Sequence, residues 1–189
     1  YTSSYQVYGN TTTPSTEESK LDPQNEYAAT KIAEEFLIKS ANKQYGLNYN
    51  IIRLSNVYGP RQQLNKIIPN TIKCILNEQP IHIRGLHSHE WTNVADNYDG
   101  IMAIIENGKG NETYNLSSNQ ELRNIELVQK ICNVMEAGHH SIVDEKSNEL
   151  QHCLDSSKLR SLGWKPKIKL KDGIENTVNW YLSNKWYLK

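Results

Sequence analysis

Tyr27 and Lys31 have the residue types and the spacing of a general base. Both lie in a segment from about Asn25 to Tyr45 whose apolar residues recur at helical spacing. The i, i+4 separation therefore places the phenol and the ammonium on one helix face. An unperturbed phenol titrates at about pH 10, and a nearby cation favours the phenolate. Such a pair could remove a proton from an alcohol while a hydride leaves the same carbon. Alone the pattern is weak, because exposed helices carry it by chance.

Two polar residues near the ends of predicted strands, Ser4 and Asn56, could lie close to the helix that carries Tyr27. Ser4 stands at the segment Tyr5–Tyr8, which has the composition of a strand, and its hydroxyl could lie beside Tyr27. Asn56 follows the Ile-rich strand predicted for Tyr49–Leu54. Strand, helix and strand in this order are typical of a crossover unit in an α/β sheet.

The pattern of predicted elements changes after residue 60, where the strand–helix–strand unit ends. A polar, Pro-containing surface loop is expected between Asn10 and Pro23, and a turn over Ser55–Pro60. Beyond residue 60, short strands alternate with helices, which predicts a smaller α+β lobe. The predicted helices there are Ile67–Leu76, Val94–Glu106, Ile125–Met135, Ser156–Leu162 and Gly173–Leu182, and the predicted strands are Ile81–Ile83 and Thr113–Leu116.

Composition excludes several classes of protein. The 189 residues carry 21 basic and 21 acidic side chains, so no overall field attracts nucleic acid or an anionic membrane. No run approaches the roughly 18 apolar residues of a membrane helix. Cys74, Cys132 and Cys153 are too dispersed for a zinc site and indicate reduced thiols. We therefore expect a cytoplasmic protein that binds neither nucleic acid nor membrane.

The order of the motifs resembles one enzyme family. Ser4, then Tyr27-x-x-x-Lys31, then Asn56-Val57-Tyr58-Gly59-Pro60 is similar to the extended short-chain dehydrogenase/reductase family, and most of all to its nucleotide-sugar 4,6-dehydratases. Nearly the whole chain is covered. Further similar blocks follow in order: Lys66-Ile67-Ile68-Pro69, Pro80-Ile81-His82-Ile83, Trp91-Thr92-Asn93-Val94-Ala95-Asp96, Glu112–Leu116, Leu162–Pro166 and Gly173–Tyr181.

This resemblance implies a fold, a cofactor and partners. The fold would be the later part of a doubly wound, Rossmann-like parallel sheet with a smaller substrate-binding lobe. Residues 1–60 would form late strands and the catalytic helix of the dinucleotide-binding domain, and 61–189 mostly the lobe, with some segments returning to the main sheet. The cofactor would be NAD and the substrate a nucleotide-diphosphate sugar. The Gly-rich dinucleotide-binding half would precede Tyr1, which leaves the NAD site of this chain incomplete.

The resemblance also implies roles for individual residues. Tyr27 would be the base at the sugar C4 hydroxyl, Lys31 would hold the nicotinamide ribose, and Ser4 would hydrogen-bond the reacting oxygen. Asn56 would face the nicotinamide or the sugar diphosphate, and the implied cofactor-binding residues are Tyr27, Lys31 and Asn56. The implied substrate-binding residues are Ser4, Asn56, Lys66, Ile67, Pro80, His82 and His89.

The chain departs from the family pattern at the elimination step. Tyr5 and Gln6 stand where the dehydratases have the Asp and Glu that eliminate water across C5 and C6. An amide has no titratable group, and a phenol is a poor substitute for a carboxylic acid. His89 replaces an arginine, and 145–151 lacks the arginines and histidine of a further motif. Three functions are compatible: a dehydratase-like enzyme with a replaced acid/base pair, a 4-epimerase, or a non-catalytic member with a binding role.

Two further interpretations concern surfaces. His82, His87 and His89 could form a metal site, but beyond Glu90 no Cys or carboxylate has ligand spacing, so we interpret them as polar loop residues at a substrate cleft. The family resemblance implies a homodimer through a four-helix interface. That interface would include the Tyr27 helix, whose outward face carries Ala33, Phe36 and Leu37.

Overall fold

The computed structural model describes residues 1–11, 13–84, 88–138, 142–145 and 153–188. Its helices are α1 (Glu26–Tyr45), α2 (Ile67–Leu76), α3 (Val94–Asn107), α4 (Asn124–Val134), α5 (Ser157–Arg160) and α6 (Leu170–Ser183). Its strands are β1 (Thr2–Ser4), β2 (Asn50–Leu54), β3 (Asn56–Tyr58), β4 (Ile81–Arg84), β5 (Ser88–Asn93), β6 (Glu112–Leu116), β7 (Glu121–Arg123) and β8 (Ile142–Glu145). Within these ranges no helix combines the length and apolar character needed to cross a bilayer.

Three parallel strands form the first sheet, in the order β1, β2, β6. Thr2 lies opposite Ile52, and Ile52 lies opposite Tyr114. α1 connects β1 to β2, which is the crossover that parallel neighbours require. Ile51 and Leu116 are fully buried, as expected for a parallel sheet that is covered by other elements. The predicted α/β fold with a parallel sheet is confirmed.

α1 begins and ends at residues that favour helix termini. Oδ1 of Asn25 accepts a hydrogen bond from the backbone N–H of Ala28 at 2.8 Å, which satisfies one of the free donors of the first turn. Gly46 follows the helix in the left-handed conformation, with φ 70°. The helix predicted for Asn25–Tyr45 is confirmed, with Asn25 as its cap.

A second group of elements, called the lobe below, has its own core. β3, β5 and β7 form one small sheet, and β4 pairs with β8. Packed against them are α2, α4 and α6, whose buried side chains include Ile68, Ile72, Leu127, Ile131 and Val178. A separate cluster with Ile104, Tyr114 and Trp164 lies against the first sheet. β6 pairs with β2 of the first sheet although it follows the lobe elements in sequence. The domain boundary at residue 60 stays a prediction.

The secondary structure predicted directly after Ser4 and around Asn56 is wrong. Tyr5–Tyr8 is a 3-10 turn rather than a strand, because Oγ of Ser4 accepts a hydrogen bond from the backbone N–H of Gln6 and caps the turn. Ser55–Pro60 is not only a turn, since it contains β3, which pairs in parallel with β5. The partner strand lies far along the chain, so the local pattern could not reveal it.

The loop interpretation of the histidines is also wrong for two of them. His82 lies in β4, which confirms the strand predicted for Ile81–Ile83, and His89 lies in β5. β5 is rich in polar residues, yet His89, Glu90 and Trp91 are buried, because the strand runs through the lobe rather than over its surface. His87 and most of the segment 145–151 lie outside the described residues. β7 and β8 are short strands that no sequence pattern predicted.

Gly173 permits the close approach of α6 to β3. A Cβ at this position would meet the hydroxyl of Tyr58, and it would lie 2.9 Å from Cγ2 of Ile168. We expect Gly173→Ala to lower the free energy of unfolding by about 1–3 kcal/mol because a packed interior must shift to admit the methyl group. Urea denaturation measures this change. Gly110→Ala is the control, since a Cβ there meets no described atom within 4 Å; equal losses in both variants would contradict the prediction.

Candidate active site

A cleft of about 650 Å³ opens at the carboxyl ends of β1 and β2 and extends along β3. Its volume is in the range of small-molecule sites. The predicted site residues that line it are Ser4, Tyr5, Gln6, Tyr27, Asn56, Lys66, Ile67 and His89. The structure thus places Ser4, Tyr27 and Asn56 of the sequence motif around one cleft, together with residues of the lobe.

Ser4 and Tyr5 lie where β1 ends. Ser4 is 6% exposed, and its Oγ accepts the hydrogen bond from the Gln6 backbone, so its own hydroxyl hydrogen can be directed toward a ligand. Tyr5 is 8% exposed, and its hydroxyl donates to Oδ1 of Asn56 at 3.2 Å. This bond connects the turn after β1 to the start of β3.

Gln6 is linked to the first turn of α1 through Asn25. Nδ2 of Asn25 donates to Oε1 of Gln6 at 3.1 Å, while Oδ1 of Asn25 caps the helix. Both amide groups of this pair line the cleft. The Ser4 turn and the helix that carries Tyr27 are therefore connected by side-chain hydrogen bonds as well as by the chain.

Tyr27 occupies the first turn of α1 and faces the cleft, with 53% of its surface exposed. Nζ of Lys31 lies 5.9 Å from the centroid of the Tyr27 ring. The predicted i, i+4 pair is thus on one helix face, with the cation close to the phenol.

Lys31 lies behind the cleft wall, in contact with β1. Its Nζ donates to the hydroxyl of Tyr1 at 3.0 Å and to the backbone oxygen of Thr2 at 3.3 Å, and it pairs with Glu34 at 3.2 Å. The hydrogen bond to Tyr1 is the main cause that raises the pKa of Lys31 above its usual value. The side chain is therefore an ammonium at neutral pH.

Pro80 and His82 lie away from the cleft. Ile81 and Ile83 of β4 are buried in the core of the lobe, so the alternation of side chains along the strand directs His82 to the opposite, exposed face. Pro80 is exposed at the start of this strand. Their substrate-binding roles stay predictions without a place in the cleft. Among the described residues, no three His, Cys, Asp or Glu side chains are grouped as a metal would require.

Several cleft residues were missed by the sequence reasoning. Asn25, Gln62, Trp91 and Asn124 line the cleft without having been assigned a role. Only Asn25 carries a signal that could have found it, because Asn directly before a helical pattern is a capping residue. The other three reach the cleft through strand pairing and helix packing in the lobe, which leave no local pattern.

A buried polar network supports the cleft from behind. The guanidinium of Arg53 donates to the carboxylate of Glu35 through Nε at 3.0 Å and Nη2 at 2.6 Å. Nη1 of Arg53 donates to the hydroxyl of Tyr8, which in turn donates to Oδ1 of Asn115 at 2.7 Å. Burial raises the pKa of Tyr8 to about 12. The network joins β2, α1, β6 and the turn after β1.

Comparison with known families gives one match over most of the chain. The family model described as GDP-mannose 4,6 dehydratase matches residues 1–177. The dTDP-D-glucose 4,6-dehydratase of Homo sapiens is 31% identical over 196 residues, covering 97% of this chain and 56% of its own length. The dTDP-glucose 4,6-dehydratase 1 of Escherichia coli is 32% identical over 185 residues, covering 90% of this chain and 51% of its own length. The chain thus spans about half the length of these curated relatives.

Solved structures of two enzyme types share this fold. DesIV of Streptomyces venezuelae, a dTDP-glucose 4,6-dehydratase solved with NAD and TYD bound, is 30% identical, with a TM-score of 0.94 over 100% of this chain and 62% of that chain. The UDP-N-acetylglucosamine 4-epimerase of Methanobrevibacter ruminantium is also 30% identical, with a TM-score of 0.86 over 97% of this chain and 62% of that chain. The relationship to nucleotide-sugar dehydratases and epimerases that the motifs predicted is confirmed, and the chain belongs to the GDP-mannose 4,6-dehydratase family.

Proposed function

We propose that this chain provides the catalytic base of an NAD-dependent enzyme that inverts C4 of a nucleotide-diphosphate sugar. The observation that carries the proposal is the placement of Ser4 and Tyr27 in one cleft, with Lys31 beside the phenol, while positions 5 and 6 offer no carboxylate. Oxidation at C4 and its reversal need from the protein only a hydroxyl, a phenol and an ammonium, since NAD would accept and return the hydride. The dehydratases and epimerases among the relatives support this class of chemistry.

The residues present fit the nicotinamide end of NAD. Oγ of Ser3 lies in the cleft wall, belongs to a residue only 4% exposed, and has no hydrogen-bond partner among the described residues. A buried hydroxyl of this kind is normally hydrogen-bonded, so a bound polar group would satisfy it. Tyr27, Lys31 and Asn56 would hold the ribose and the nicotinamide. NAD in the DesIV structure supports the assignment.

In the reaction, Tyr27 would take the proton of the C4 hydroxyl and, after the 4-keto sugar has presented its opposite face to the hydride donor, return it to the C4 oxygen. NAD, when bound, would supply the hydride acceptor for the oxidation and the donor for the reduction. The ammonium of Lys31, 5.9 Å from the centroid of the Tyr27 ring, would favour the ionised form of the phenol. Ser4, held at the end of β1, would donate its hydroxyl hydrogen to the C4 oxygen and so fix the sugar against Tyr27.

Tyr5 and Gln6 do not form the acid/base pair that would eliminate water across carbons C5 and C6 of the sugar. The phenol of Tyr5 donates to Asn56, and the amide of Gln6 accepts from Asn25. An amide cannot take up the C5 proton at neutral pH. Among the described cleft-lining residues, Glu26 alone carries a carboxylate, and it is exposed at the first turn of α1.

4,6-Dehydration is the second candidate function. It is favoured by the relatives, since DesIV and the human protein are dehydratases at 30% and 31% identity. In that reaction Tyr5 would have to act as the acid of the elimination step, and a group other than Gln6 would have to act as its base.

Product analysis distinguishes the candidates. The protein as its gene encodes it would be incubated with UDP-glucose or dTDP-glucose and NAD, and the sugar followed by proton NMR. We expect the galactose configuration at C4. A 4-keto-6-deoxy sugar would establish dehydration instead. Absence of product, together with absence of NAD release on denaturation and of NAD binding by calorimetry, would establish the non-catalytic alternative.

Restoring the two carboxyl groups should create the elimination activity. Glu at position 6 keeps an oxygen acceptor for Nδ2 of Asn25, so the connection to α1 survives the change. We expect Tyr5→Asp/Gln6→Glu to form a 4-keto-6-deoxy product at least about 100-fold faster than Tyr5→Asn, because a positioned acid and base contribute factors of this size. The Tyr5→Asn control removes the phenol without adding an acid. Equal amounts of the product from both variants, measured by NMR, would contradict the prediction.

We also propose that α1 forms a homodimer interface. Phe36 and Leu37 are 60% and 68% exposed, and Ala33 lies near them on the surface of the same helix. Grouped apolar side chains on a surface mark interaction sites more often than isolated ones do. Sedimentation velocity should show a dimer that Phe36→Glu converts to a monomer, whereas Lys43→Glu on the same helix has no effect. A monomer before any substitution would overturn the proposal.

A further inference from the structure

Gln62 carries a buried acceptor, in the cleft wall, that no described residue satisfies. Its Nε2 donates to the backbone oxygen of Val57 at 2.8 Å. Its Oε1 is buried, and it has no hydrogen-bond partner among the residues that the structure describes. Gln62 lines the same cleft as Tyr27 and Asn56.

The orientation of this amide follows from its partner. The backbone oxygen of Val57 can only accept a hydrogen bond, so the NH₂ group of Gln62 must face it. The carbonyl oxygen is therefore the end of the amide that lacks a partner. Buried polar atoms in proteins are rarely left unsatisfied, so an exception calls for an explanation, such as a bound group that supplies the missing hydrogen bond.

The C-terminal aromatic residues hold the loop of Gln62 in place. The hydroxyl of Tyr181 donates to the backbone oxygen of Gln62 at 3.2 Å, and the hydroxyl of Tyr187 donates to that of Arg61 at 2.8 Å. The guanidinium of Arg61 lies 5.2 Å from the ring centroid of Trp180, within the range of a cation–π contact. The backbone of this loop is thus held in place before any ligand arrives, which limits the entropy lost on binding.

Because Oε1 of Gln62 is a hydrogen-bond acceptor, it can bind only a part of the ligand that carries a donor. Diphosphate oxygens are acceptors at neutral pH and would be repelled by Oε1, whereas Lys66 on the same cleft wall carries a charge suited to them. A hydroxyl group is a suitable donor. Val57, to which Gln62 is bonded, directly follows Asn56, whose side chain contacts Tyr5 at the end of β1. This position favours the sugar over the nucleobase, because Ser4 and Tyr27 act on the sugar.

We propose that Oε1 of Gln62 accepts a hydrogen bond from a ring hydroxyl of the sugar and thereby contributes to sugar specificity. This inference rests on the proposed function, since it assigns a residue to the substrate of the same cleft. Gln62 would act by recognition and would take no part in proton transfer.

The proposal is tested by calorimetry, which measures how tightly UDP and UDP-glucose bind to the protein as its gene encodes it, with NAD present. The probes are UDP and UDP-glucose, and the variants are Gln62→Met, which has similar volume but no amide, and Gln63→Met as the control at an exposed neighbour. We expect Gln62→Met to weaken UDP-glucose binding 10- to 100-fold while UDP binding stays unchanged. Unchanged UDP binding also shows that the variant is folded. Should Gln62→Met fail to fold, Gln62→Asn withdraws the acceptor while keeping the amide.

The outcomes separate this inference from the proposed function. Equal weakening of UDP and UDP-glucose would place the acceptor on the nucleotide and overturn the sugar contact. Unchanged binding of both would show that Oε1 does not meet the substrate. Failure of the unsubstituted protein to bind either UDP-glucose or dTDP-glucose would overturn the proposed function together with this inference.

Discussion

Tyr27→Phe is expected to lower kcat by about 1,000-fold, within the usual contribution of a positioned general base. The substitution removes only the oxygen that would accept the C4 proton. The ring is 53% exposed at the first turn of α1, and the turn is capped by Asn25, so folding should be unaffected. Binding of the nucleotide sugar should change by less than about threefold, because the phenol acts on the sugar mainly in the transition state, whereas NAD loses only the contact that the phenol would make with it.

Tyr45→Phe is the matched control for this variant. Tyr45 is the last residue of the same helix, and its side chain is 76% exposed. Steady-state rates with calorimetric binding of both ligands complete the measurement. A Tyr27→Phe enzyme with kcat within tenfold of the starting protein would remove Tyr27 from the role of base and refute the mechanism proposed above.

The second large effect concerns stability. Glu35→Ala is expected to lower the free energy of unfolding by about 3–5 kcal/mol, because it leaves the charge of Arg53 buried without its counter-ion. The side chains of Arg53 and Glu35 are 2% and 1% exposed, and two hydrogen bonds of 3.0 and 2.6 Å join them. Glu35 lies on α1 and Arg53 on β2, so the pair fixes α1 to the sheet.

A surface ion pair provides the comparison. Lys167 and Asp99 are joined at 2.6 Å, but their side chains are 75% and 39% exposed. Water screens such pairs, so Asp99→Asn should lower stability by no more than about 1 kcal/mol. Urea denaturation of both variants measures the contrast. A loss below about 1 kcal/mol in Glu35→Ala would mean that Tyr8 and the backbone oxygen of Glu17, the other partners of Arg53, are sufficient to hold its charge.

Local patterns were enough to predict the elements that depend on local interactions. The helix from Asn25 to Tyr45 follows from its periodicity, its cap and the glycine after it. The spacing of Tyr27 and Lys31 then determines that both share one face, whatever the rest of the molecule does. The motif order was likewise sufficient to predict the family.

Local patterns failed where pairing is long-range. β3 and β5 pair across about 35 residues, and each is short or polar, so the segment of β3 was predicted as a turn and that of β5 as a loop. Tyr5–Tyr8 was predicted as a strand from its composition, but a single hydrogen bond from the Gln6 backbone to Ser4 converts it to a turn. Side chains that compete for backbone hydrogen bonds have this effect.

The sequence by itself determined which chemical groups this protein carries and that the phenol and the ammonium lie together on α1. Only the tertiary structure decided which other groups reach them. It brings Asn25, Asn56 and Gln62 into the cleft and directs His82 away from it. The physical reason is that the direction of a side chain on a strand depends on which face the neighbouring elements bury. That choice is made by the packing of the whole lobe rather than by any one segment.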